Sequence, residues 1–232
     1  MMSTANYVHP STYESLSDQE ISVVRQIHDF TEKYFQNPCF DASHDFDHVK
    51  RVVNNALTIL KKEEHRRKQE TLPPLNPLSV ILGALLHDVE DKKYIAAMDN
   101  DSPLKRAIVE AGMPIEYAAQ IQMLVEGVSY SSEVKNPDRV RNLIAAIPEL
   151  AIVQDADRLD AIGAIGIGRC FTFGGAKGAR SLEDSIHHFE DKLLKLEGMM
   201  KTEPGKAMAH ERTRRIREFM AWWREEAGSG NQ

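Results

Sequence analysis

Hydrophobic residues recur along this chain at the three- and four-residue spacing of helix faces, and no segment shows a period-two strand ladder. Residues 1–16 are polar and are expected to form a flexible tail, as are 228–232. From Ser17 onward, Ile21, Val24, Ile27 and Phe30 predict a first helix, which Asn37-Pro38 ends. Ser43 is a suitable N-cap for a second helix, with Asp45 and Asp47 in a first turn that favours carboxylates. Its apolar face runs through Val49, Val52, Val53, Ala56, Leu57 and Leu60, and the helix is expected to fade in the charged stretch before Leu72-Pro73-Pro74. Polar residues 61–76 and 99–102 read as loops.

After Pro77 comes Leu78-Ser79-Val80-Ile81-Leu82-Gly83-Ala84-Leu85-Leu86, apolar on nearly every side and therefore a central, buried helix. Further helices are predicted at 103–111, 115–127 and 138–146, and one from about Leu150 to Ile165. Residues 172–180, TFGGAKGAR, read as a glycine-rich loop. Two amphipathic helices, near 183–201 and 205–226, complete the pattern. The fold class expected is all-α: a compact multi-helix bundle in one domain over 17–227.

Bulk properties narrow the function. The chain has 232 residues, 42% hydrophobic and 28% charged, enough for a substantial core without disulfides. A formal net charge of −6 argues against a protein that coats nucleic acid, so no stable nucleic-acid complex is expected. A small anionic substrate is still compatible, because local charges and a bound cation govern a site. Two cysteines, Cys39 and Cys170, fit a reducing compartment, so the cytoplasm is expected, with the nucleus as the alternative. No basic start followed by an apolar run marks a secretory signal, and no apolar stretch nears the roughly 20 residues needed to span a bilayer. No membrane partner is expected, and a homodimer is compatible with the pattern.

Three clusters carry the chemistry. The buried apolar block ends in His87-Asp88, and a desolvated carboxylate needs compensation from a cation or a salt bridge. In Ser43-His44-Asp45-Phe46-Asp47-His48, the two histidines are four apart and share a helix face, and His48 leads into the apolar side. In Gln154-Asp155-Ala156-Asp157-Arg158-Leu159-Asp160, Asp157 and Asp160 share a face, whereas Asp155 lies roughly 160° round the helix from Asp157. One or two of these carboxylates are expected to pair with Arg158 or nearby bases.

Together, HDFDHVKRV, LLHDVEDKK and QDADRLDAIGA resemble the HD-domain superfamily of metal-dependent phosphohydrolases over about residues 43–168, with wording close to a branch of small stand-alone bacterial and fungal HD hydrolases. The dipeptide alone says little, since His28-Asp29 and His44-Asp45 also carry it. The resemblance implies metal ligands His48, His87, Asp88 and Asp157, with Asp155 as the alternative to Asp157. Such a mixed nitrogen and oxygen site suits one divalent cation: Mn²⁺ first by resemblance, with Ni²⁺, Co²⁺, Fe²⁺ or Mg²⁺ as alternatives.

Hydrolysis of a phosphate ester or anhydride also needs a proton carrier and positive groups. Asp91, four residues after His87, is the candidate for the first, and Arg51, on the face of His48, for the second. Lys92, Lys93, Arg158, His188, Lys192 and His44 are candidate substrate contacts, with Lys177 and Arg180 as weaker ones. Trp222-Trp223 and the methionines at 199, 200, 208 and 220 read as core or interface. The resembling branch implies a nucleotide substrate, best a (deoxy)nucleoside triphosphate cut to monophosphate and pyrophosphate. The competing functions are an HD-type di-iron oxygenase and a non-catalytic, metal-stabilised nucleotide-binding module.

Overall fold

The computed structural model describes residues 7–37, 45–89, 102–176 and 181–228, and among these there is no strand. In chain order the helices are α1 (Asp18–Tyr34), α2 (Phe46–Gln69), α3 (Pro77–Leu86), α4 (Pro103–Glu110), α5 (Ile115–Val128) and α6 (Tyr130–Lys135). They are followed by α7 (Pro137–Ala146), α8 (Glu149–Asp160), α9 (Gly163–Ala176), α10 (Leu182–Asp191) and α11 (Glu203–Glu226). The protein is all-α, as its periodicity requires.

The apolar block lies at the centre. Every residue from Leu78 to Leu86 is buried, and α3 packs against α1, α2, α5 and α8. Full burial of each large aliphatic chain here stabilises the fold by about 1.5–3 kcal/mol. Close approach depends on Gly83, where a Cβ would meet Leu124 Cδ2 at 2.7 Å and Val153 Cγ2 at 3.1 Å. Asn76 caps the helix by accepting a hydrogen bond from Ser79 N, and Pro77 occupies a first-turn position, where its missing N–H costs nothing.

Several boundaries differ from those the sequence pattern predicts. The Ser17 cap of α1 forms a reciprocal capping box with Glu20. The cap of α2 is Asp45 rather than Ser43: its carboxylate accepts from His48 N at 2.9 Å, while Ser43 lies outside the described residues. That helix does not fade at Leu60 but continues to Gln69. Its charged half consists of good helix formers, and Arg66 bonds to Glu63 at 2.8 Å and to Glu70 at 2.6 Å.

The single helix expected over 150–165 is two. α8 ends at Asp160, and Gly163, at φ +74°, opens α9 in a conformation that favours glycine. α9 then takes in 172–176, predicted as loop. The helix expected over 183–201 stops at Asp191 and gives way to short 3-10 turns at Leu193–Lys195 and Glu197–Met199. α6 is too short to leave a periodic signal. A 3-10 turn at Pro10–Thr12 buries Ser11 beside α1, and the Tyr13 hydroxyl donates to Glu64 at 2.7 Å.

Candidate metal centre

His48 sits in the first turn of α2, His87 and Asp88 in the turn that closes α3, and Asp157 on α8. These helices pack directly on one another, so residues up to 109 positions apart in the chain meet in one place. His48 Nε2 and His87 Nε2 are 3.1 Å apart. Asp88 Oδ2 lies 3.4 Å from each of those nitrogens. Asp157 Oδ1 lies 3.6 Å from His48 Nε2 and 3.9 Å from His87 Nε2. Both imidazoles are buried, and the carboxylates are partly open.

Hydrogen bonds on the far side of each ring define what the near side offers. The Ala84 carbonyl can only accept, so His87 donates to it from Nδ1 at 2.9 Å. The Asp160 carboxylate likewise accepts from His48 Nδ1 at 2.7 Å. As neutral rings, both histidines therefore turn an Nε2 lone pair toward the other and toward two carboxylates. Asp88 Oδ2 is buried and has no hydrogen-bond partner. Two imidazole nitrogens and two carboxylates brought this close are a donor set that a divalent cation would satisfy. The separations among His48, His87 and Asp88, 3.1–3.4 Å, match neighbouring ligands of a shared ion with bonds of about 2.1 Å, and Asp157 stands slightly farther out at 3.6–3.9 Å.

A proton performs part of this service when no metal is present. Burial opposes charge on His87, but the carboxylates of Asp88 and Asp157 outweigh it and hold the imidazole at about 9. Burial likewise opposes charge on Asp88, yet His87 and His48 hold it well below the usual carboxylate range.

Asp160 is the partner that the sequence pattern did not assign. It is 1% exposed and carries, besides His48, Arg51 Nε at 2.7 Å and Arg169 Nη1 at 2.9 Å. Despite burial, these donors hold it below the usual carboxylate range. Its spacing of three from Asp157 was the only signal in the chain, and nothing in the sequence pointed to Arg169. Asp155 is not at the cluster. It accepts from Lys201 N and Thr202 N at 2.8 Å each and from Thr202 Oγ1 at 2.7 Å, fastening the start of α11 to α8.

The predicted substrate contacts divide. Arg51 stands beside the cluster, with its guanidinium bound to Asp160. Arg158 does not pair with the neighbouring carboxylates: it is buried, donates to Glu133 at 2.5 Å and to the Met199 carbonyl at 2.9 Å, and ties α8 to α6. This is a correction to its expected place at a substrate, since a fully enclosed guanidinium already paired has nothing to offer an incoming anion. Lys192 holds its ammonium 5.0 Å over the Tyr130 ring, and His188 is half-buried on α10. His44, Asp91, Lys92, Lys93, Lys177 and Arg180 lie outside the described residues. α3 ends at Leu86 and His87–Val89 form a turn, so the helical offset used to place Asp91 is not carried through the described chain. His28 packs among Tyr7, His9 and Phe46. Trp223 joins Phe171 and Phe219, whereas Trp222 is 60% exposed and outside the core.

No family model matches the chain. It is 34% identical over 186 residues to the uncharacterized protein YpgQ of Bacillus subtilis, covering 77% of this chain and 82% of that one. The crystal structure of YpgQ in complex with ADP superposes with a TM-score of 0.66 at 26% identity, covering 90% of this chain and 96% of that one. An HD-superfamily hydrolase from Bacillus thuringiensis superposes with a TM-score of 0.57 at 28% identity, covering 90% of this chain and 98% of that one. The chain belongs to the HD-domain superfamily of metal-dependent phosphohydrolases. The His-Asp dipeptide that follows the buried helix stands in the cluster, whereas His28 packs among aromatic rings. Its histidine and aspartate cluster is a place for a divalent cation.

Proposed function

We propose that this phosphohydrolase acts on a nucleotide at a divalent cation held by His48, His87, Asp88 and Asp157, cutting a (deoxy)nucleoside triphosphate to monophosphate and pyrophosphate. The convergence of two lone-pair nitrogens and two carboxylates, from three helices, carries this reading. The nucleotide is supported by YpgQ, which is similar along most of its length and has been crystallised with ADP. Mn²⁺ is the proposed ion; the donor set also accommodates Ni²⁺, Co²⁺, Fe²⁺ or Mg²⁺. When bound, such an ion polarises a phosphoryl oxygen and lowers the pKa of water.

The chain supplies the rest. Arg51 and Arg169 bring two guanidiniums to the edge of the cluster through Asp160, where positive charge would meet a polyphosphate. Asp91 is assigned the proton-handling role on sequence grounds. Purified protein incubated with Mn²⁺ and a panel of nucleoside mono-, di- and triphosphates tests the proposal by the products formed. Pyrophosphate and monophosphate from triphosphates are expected. Failure to release phosphate or pyrophosphate from any member, or two irons per chain after aerobic purification, overturns it.

A further inference from the structure

Asp160 makes more polar contacts than any role in the helix requires. It lies at the last position of α8, 1% exposed, and both oxygens are used. Oδ1 accepts from Arg51 Nε at 2.7 Å. Oδ2 accepts from His48 Nδ1 at 2.7 Å, Arg169 Nη1 at 2.9 Å and Arg51 Nη2 at 3.2 Å. One carboxylate thus joins a proposed metal ligand on α2 to an arginine from the same helix and another from α9. A carboxylate buried without such partners would be costly, so the site retains Asp160 only with all three donors in place.

We infer that Asp160 is a positioning residue: it keeps the His48 proton on Nδ1, aims Nε2 at the cation, and holds Arg51 and Arg169 beside it before metal or substrate arrives. This deepens the proposed function and rests on its ligand set. A metal-bound histidine whose other nitrogen donates to a carboxylate is both oriented and made more basic, and removing such a partner weakens metal binding by 10–100-fold in general. Because the same carboxylate binds two guanidiniums, disturbing it also loosens Arg51 and Arg169. Arg51 is about one-third exposed at its side chain and Arg169 about one-fifth, so both are held in place while still reachable.

The test uses Co²⁺ alone, with no nucleotide. Metal-free wild type, Asp160→Asn and Asn55→Ala are titrated with Co²⁺ against a competing chelator, and the visible spectrum of the bound ion is followed. Asn55 donates to the Ala156 carbonyl at 3.1 Å and so joins the same two helices without touching His48. The expected result is a 10–100-fold loss of Co²⁺ affinity and an altered spectrum in Asp160→Asn, with near wild-type values in Asn55→Ala. Unchanged affinity and spectrum in folded Asp160→Asn overturn the inference. Should that variant fail to fold, nitrogen-15 NMR of histidines in wild type decides: a His48 that carries a hydrogen-bonded proton on Nδ1 supports the role, and one that lacks it overturns it. This readout needs no cation, so it separates failure of the Asp160 role from failure of the metal site itself.

Discussion

His87 shows how one side chain can stabilise the protein without metal and serve the metal when it comes. Its imidazole is held at about 9 by Asp88 and Asp157 against the cost of burial, so at neutral pH it carries a proton in the metal-free protein. A metal ligand must be neutral, so metal uptake at pH 7 should expel about one proton. Calorimetry in buffers of different ionisation enthalpy measures that number directly; metal binding without proton release contradicts it. The same shift fixes a sign for stability. The folded value lies above the ordinary histidine value of about 6.5, so the contribution is complete below about 6.5 and is lost as pH rises through about 9. Melting of chelator-treated protein should therefore fall across that window. His87→Ala should abolish tight metal binding and turnover together, whereas Asp91→Asn should cut turnover strongly and leave metal content intact. Metal analysis beside a rate assay distinguishes the two. His87 and Asp88 were legible because polar residues after a nearly all-apolar block demand an explanation; Asp160 was not, because its partners come from other helices.

α8 shows how one helix can divide three similar carboxylates among three tasks. Asp157 turns to the cluster, Asp160 to His48 and the arginines, and Asp155 to the amino end of α11. Burial raises the Asp155 pKa despite its three donors, and those donors all come from Lys201 and Thr202, which makes it an anchor for α11. Its neighbour Gly205 has no room for a side chain: a Cβ would lie 2.2 Å from Asp155 Oδ2 and 2.7 Å from Thr202 Oγ1. Gly205→Ala should cost about 1–3 kcal/mol by forcing this joint apart, with Co²⁺ affinity little changed. Denaturant unfolding measures the cost, and a large loss of metal affinity would show that α11 bears on the site more than its contacts indicate. The angular separation of Asp155 and Asp157 was readable from helix geometry. The end of α8 at Asp160 was not, because the apolar pattern runs on past Gly163 and only the backbone reveals the turn.

The bundle as a whole is joined at the cluster, where α2, α8 and the end of α3 meet. A cation bound only by the folded state must stabilise all three elements together. At a free concentration about 100 times Kd the gain is about 2.7 kcal/mol, roughly 5–10 °C in melting temperature for a domain of this size. Thermal melts with Mn²⁺ and with chelator should show this difference; coincident curves count against the site. The all-helical character, the buried central helix and the paired chemistry of His87 with Asp88 were determined by the chain alone, because each follows from local periodicity and from the cost of placing charge beside hydrocarbon. Which distant groups share a hydrogen bond was decided only by folding. Arg158 became a buried strut and Arg51 a partner of Asp160 through the rotation and approach of packed helices, and those depend on side-chain fit between elements that no local pattern records.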